Sequence, residues 1–173
     1  MASKSDKSKL DASNEMIILT NEARSLQIVK KYMLWSIGAG LIPVPLIDIA
    51  TVTGVQMKMI SEISKVYDVE FKENRAKNTI SALLSSVSAN TFAYGTVGSA
   101  LKSIPVVGTL VGVVTMPFFS GAFAYALGSV FINHFEKGGT FLDFDADKVK
   151  SQFNEMFKAG KKAVSELNDD VKS

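Results

Sequence analysis

The segment Gly40–Ala50, "GLIPVPLIDIA", joins an uncharged run suited to a bilayer to two prolines and a carboxylate. Each proline removes a backbone donor and pushes the residue before it out of helical conformation, so an unbroken helix is not expected through this stretch. Pro45 suits the first position of a new helix, where its missing N–H costs nothing. Asp48 then falls in the first turn, where unpaired N–H groups and the helix dipole favour a negative charge. The stretch predicts a bend between two helices, with Pro43 and Pro45 as the break and Asp48 serving the start of the second.

Charge is sparse on both sides of this bend. Between Met33 and Met57 the only ionisable side chain is Asp48. A second window, Lys77 to Glu136, contains only Lys102, His134 and the phenols of Tyr94 and Tyr125. It repeats the Ile-Pro-Val of residues 42–44 at Ile104–Val106, and Pro105 and Pro117 predict further helix breaks there. Within this window Gly108 and Gly112 form a Gly-x-x-x-Gly pair and Ala122 and Ala126 share a face, spacings that let helix backbones approach closely.

Helical periodicity accounts for most of the remainder. Leu19, Ala23, Leu26, Val29 and Met33 predict the apolar stripe of a first helix, and Val52, Val55, Met59, Ile63 and Val66 that of a second. A third is expected from about Glu73 on the stripe Ala76, Ile80, Leu83, Leu84 and Val87. Past a Gly-Gly turn at 138–139, Asp145 or Asp147 can cap a final helix with Val149, Phe153, Met156, Phe157, Gly160, Val164 and Leu167 on its inner face. Residues 1–14 are too polar to bury a face and are expected as a mobile tail; 15–168 form one helical domain, and 169–173 a second tail.

Composition excludes several classes of function. Nineteen basic against 17 acidic side chains give a net charge of +2, too small an excess for a nucleic-acid field. Without cysteine there is no disulfide, thiolate metal site or cysteine nucleophile. The N-terminal "MASKSDKSKLDASNE" lacks the apolar region of a secretory signal. His134 is the sole histidine, which excludes a His-pair metal site, and it is expected to be solvated or capping. Asp143, Asp145 and Asp147 alternate but lack the glycine and terminal glutamate of a calcium loop. No catalytic residue, cofactor or metal is expected. Asp48 with Gln56, two turns on, is the candidate polar site, set against a purely structural role at the helix start.

A spanning helix needs about 20 mostly apolar residues, and both windows are interrupted before reaching that. A straight span through Asp48 would cost about 2.5–3.5 kcal/mol. Basic residues precede, separate and follow the windows, so no segment is left for the far side of a bilayer. Two bent hairpins that enter and return keep every charged segment on the cytoplasmic face of an inner membrane. Two other readings stay open: a soluble or oligomeric bundle whose windows are its own core, and a pore-forming or membrane-remodelling element.

Three stretches, "GLIPVPLIDIATVTGVQMKMISEISKVYDVEF", "SIPVVGTLVG" and "AYALGSVFINHFEKGGTFLDFD", taken in that order, resemble the bacterial family filed as domain of unknown function 697. The resemblance covers Ile28 to Lys162. It implies a helical, membrane-associated domain, often attached to or encoded beside small GTPases of the Era-like type. This chain has no Gly-x-x-x-x-Gly-Lys-Ser/Thr and so no phosphate-cradling loop of its own, which makes any GTPase a partner in trans. The expected protein is an all-α helical bundle with two apolar hairpins bent at Ile-Pro-Val, a non-enzymatic anchor or scaffold whose partners are membrane lipid, a GTPase and further copies of itself.

Overall fold

A computed structural model describes residues 4–40, 49–93 and 105–170, with side chains for 12–37, 53–87 and 118–166. Among these residues the ordered elements are helices: α1 (Lys4–Gly40), α2 (Ile49–Val66), α3 (Glu73–Ala93), α4 (Pro105–Glu136) and α5 (Ala146–Asp170).

Local chemistry sets several of the helix ends. At the close of α2, Val69 N–H reaches Ser64 O and Asp68 N–H reaches Lys65 O, with Asp68 in the left-handed conformation at φ 55°. The end of α4 repeats the pattern: Gly139 N–H bonds His134 O, Gly138 N–H bonds Phe135 O, and Gly138 has φ 78°. Both are Schellman closures, in which a left-handed residue turns the chain back over carbonyls that the helix leaves unpaired. Asp145 Oδ1 accepts from Asp147 N at 3.0 Å and Lys148 N at 3.3 Å, so of the two expected caps, Asp145 and Asp147, it is Asp145 that caps α5. Pro105 opens α4, where a proline fits.

The helices alternate in direction. Along the α1/α4 contact, Gly128 lies against Val29 and Gly121 against Ile37, so the two run antiparallel at close range. Gly160 of α5 rests on the backbone of Ala122, and Phe153 and Phe157 of α5 meet Phe123 and Phe119 of α4 at centroid distances of 5.5 and 5.3 Å. At one end of the bundle the connector after α2 meets the connector after α4, with Phe71 edge-on to Phe141 at 5.5 Å. Phe131, Phe135, Phe141 and Phe144 converge there. Met59, Ile60, Ile63, Ile80, Leu83 and Leu127 continue the buried core between the helices.

Three expectations change. The first helix begins at Lys4, so residues 4–14, expected as a mobile tail, are helical. They contain no glycine or proline, and extending a formed helix is far easier than nucleating one. The predicted break at Pro117 is absent, since α4 continues through it. A proline there lacks one backbone donor, which costs helix stability without ending the helix. The predicted stripe of α1 is only partly inward: Val29 and Met33 are buried, whereas Leu19 and Leu26 are 59% and 44% exposed and Ala23 is also exposed. Ser25, Val29, Tyr32, Met33 and Ser36 form the buried face instead.

Candidate functional site

The bundle differs chemically between its two ends. Connectors 67–72 and 137–145 share one end and carry Asp68, Glu70, Lys72, Lys137, Asp143 and Asp145. The close of α5, with the exposed Lys161, Lys162 and Glu166, reaches the level where Val164 and Ile37 both meet Gly121 at the other end. The alternating helix directions bring the close of α1, the start of α2, the close of α3 and the start of α4 to that end as well. These are the segments of the two charge-poor windows. Beyond the level where Ile37 meets Gly121, α4 continues back to Pro105, 16 residues or about 24 Å of helix, with no ionisable side chain. Near this end of α1, Trp35 is 70% and Leu34 46% exposed. Among the described residues, no helix is long and apolar enough to cross a membrane.

Between these zones, Glu62 of α2 joins two α1 side chains. Lys31 Nζ lies 2.8 Å from Glu62 Oε2, and Tyr32 donates to Glu62 Oε1 at 2.7 Å. Burial pushes the Glu62 carboxyl up, but the hydrogen bonds from Lys31 and Tyr32 and the charges of Lys31 and Lys58 outweigh it and hold it below the usual value. Burial and the neighbouring carboxylate raise the Tyr32 phenol. A carboxyl depressed by folding stabilises the fold above its unfolded pKa and loses that contribution as pH falls through the folded one. Stability should therefore drop on acidification below the ordinary carboxylate range, and Glu62→Gln should flatten part of that limb in pH-dependent thermal melts.

The chain matches the family described as domain of unknown function (DUF697) over residues 5–162. It belongs to that family. It is also similar to magnetosome membrane protein 22 of Magnetospirillum gryphiswaldense, with 33% identity over 140 residues, spanning 81% of this chain and 72% of that protein. No solved structure matches.

The residues singled out by sequence have different fates. Asp48, Pro43 and Pro45 lie in 41–48, outside the described residues, so the pairing of Asp48 with Gln56 and the bend itself lie outside them too. Gln56 is wholly buried and, among the described residues, neither polar atom of its amide has a hydrogen-bond partner. Leaving such a group unpaired costs about 1–3 kcal/mol, which marks Gln56 as more than packing. Gly108 and Gly112 are within α4, but their packing lies outside the described residues. Ala122 and Ala126 are fully buried, the former beneath Gly160.

His134, half-buried in the last turn of α4, has Nε2 2.9 Å from Thr140 O and 3.6 Å from Asp143 Oδ2, which fits the capping alternative better than a freely solvated ring. Asp143 accepts from Thr140 N at 2.7 Å and from the Thr140 hydroxyl. These bonds hold its carboxyl below the usual value, so the alternating carboxylates serve as a loop clasp at Asp143 and a helix cap at Asp145. Sequence reading missed Trp35 and the Lys31–Glu62–Tyr32 cluster. An exposed tryptophan beside an uncharged window was the available signal for the first; the second joins residues 30 apart and had none.

Proposed function

We propose that this chain is a non-enzymatic, membrane-associated anchor or scaffold whose charge-poor end enters one leaflet and returns, leaving the ionic connectors on the cytoplasmic face of an inner membrane. The observation that carries this reading is that the two charge-poor windows meet at one end of the bundle and both ionic connectors at the other, with the charged close of α5 at the level of Ile37. Both ionic connectors occupy the same end, as a re-entrant topology requires and a single crossing does not. The name of the related magnetosome membrane protein supports membrane association. Trp35 and Leu34 stand where an interfacial belt would be, since tryptophan favours the boundary between headgroups and acyl chains.

A small GTPase acting in trans is the partner this reading assigns, on the ground of the family resemblance, and recovery from gently solubilised membranes tests it. Asp48 is the proposed polar contact for that partner or for a lipid headgroup; Gln56, being wholly buried, does not reach the surface. Asp48→Leu that leaves partner recovery and insertion unchanged would remove that role. The untagged protein is expected to stay with the membrane pellet through carbonate extraction. Release into the soluble fraction would favour a self-contained soluble bundle, and leakage of liposomes on insertion would favour a pore.

A further inference from the structure

The outward face of α1 carries a second apolar seam that the bundle does not use. Ala12, Met16, Leu19, Ala23, Leu26 and Lys30 recur at spacings of four, three, four, three and four, the 3.5-residue period of a coiled coil. All six are exposed, Met16 and Leu19 at 70% and 59%. The opposite face, through Ser25, Val29, Tyr32 and Ser36, is the one buried in the bundle. This period runs over residues 12–30, about 27 Å of helix, and suits a facing helix, with Ile17 and Ile18, 54% and 49% exposed, lying off the seam.

We infer that this seam pairs with the same seam of a second copy in a parallel two-stranded coil. Assigning Ala12, Leu19 and Leu26 to d positions puts Met16, Ala23 and Lys30 at a. Leucine at two of the three d positions fits a two-stranded coil, and a single lysine at a fixes register; the a positions, Met16, Ala23 and Lys30, hold no β-branched residue, so the parallel sense rests on the flanking charges. The flanking positions agree in sign. Ser13, Thr20 and Gln27 line one side and Glu15 and Glu22 the other. A parallel pair sets each glutamate beside a neutral Thr20 or Gln27 of the second copy, whereas an antiparallel pair sets glutamate against glutamate.

Parallel pairing also points both charge-poor ends the same way, as two copies in one bilayer must be. That orientation argument rests on the membrane reading; the period, exposure and charge pattern of the seam do not. On the proposed topology the coil lies on the aqueous side of Trp35.

The chain has no native cysteine, so single substitutions report proximity cleanly. Leu19→Cys and Leu26→Cys in the full chain, in vesicles and in mild detergent, are expected to form disulfide-linked dimers, because paired d positions lie within disulfide reach. Lys158→Cys, exposed on α5, is the negative control. Leu19→Asp with Leu26→Asp should weaken dimerisation more than roughly tenfold while helical content by circular dichroism is retained. Cross-linking no stronger than at Lys158→Cys, or a dimer undiminished by the double substitution, overturns the seam. Cross-linking between Leu19→Cys and Ala23→Cys chains in preference to like pairs overturns the parallel sense. Carbonate retention of the same variants is scored separately, so a failed dimer and a failed membrane reading are distinguishable.

Discussion

Phe131→Ala is expected to lower the unfolding free energy by about 3–5 kcal/mol. Phe131 has no exposed surface and stacks on Phe144 at 4.5 Å, with Phe135 and Phe141 each at 5.6 Å. It is thus the common neighbour of the α4 close and the connector that leads to α5. Alanine leaves a cavity that these neighbours cannot fill together, because Phe135 and Phe141 are also held against each other at 5.3 Å. Phe141 in turn supports Phe71, so the loss should spread to the α2–α3 connector. Denaturant unfolding followed by circular dichroism measures the loss. Leu142→Ala, one position from Phe141 but 67% exposed, should stay within about 0.5 kcal/mol of the parent.

Gly160→Val should cost about 1–3 kcal/mol, by a different mechanism. A Cβ at 160 would lie 2.8 Å from Ala122 O, 3.0 Å from Ala122 Cα and 3.1 Å from Tyr125 Cβ. Two of these three atoms are backbone of α4 and cannot rotate away. The α4/α5 contact must therefore open, loosening the Phe119–Phe157 and Phe123–Phe153 contacts on either side. Gly54→Ala gives the opposite sign in the same assay. A Cβ there meets nothing within 4 Å, and removing a mid-helix glycine should add about 0.5–1 kcal/mol. Gly160→Val as stable as the parent would show that α5 does not approach α4 this closely.

The parts of this architecture that follow from local rules were legible in the sequence. The stripe of α5 and its Asp145 cap, the stripe of α3 from Glu73, and the all-helical class rest on periodicity and end chemistry, and the structure agrees. The facing of α1 was not legible. Periodicity finds an apolar stripe but not which stripe the core will take, and α1 has two. The choice is made at a distance, by Gly121 and Gly128 on α4, which leave room for Ile37 and Val29. That rotates α1 so that Leu19, Ala23 and Leu26 look outward.

Prolines were read by one rule but had two outcomes. Pro105 fits a helix start, while Pro117 lies within a helix that continues past it despite one missing bond. Of the candidate site, Gln56 stood out in the sequence only as an uncharged polar residue near Asp48. Its complete burial without a hydrogen-bond partner among the described residues is a tertiary property and could not have been read from spacing.

The central claim is that the charge-poor end meets lipid while the connectors stay in water. Trp35, the sole tryptophan, reports on it without any label. On transfer from mild detergent into vesicles containing bromine-substituted acyl chains, its emission should shift to the blue and be quenched. A dye on Lys72→Cys in the α2–α3 connector should remain accessible to an aqueous quencher. Trp35 emission unaffected by the brominated chains, from a protein that stays a monodisperse monomer once detergent is removed, would contradict the account.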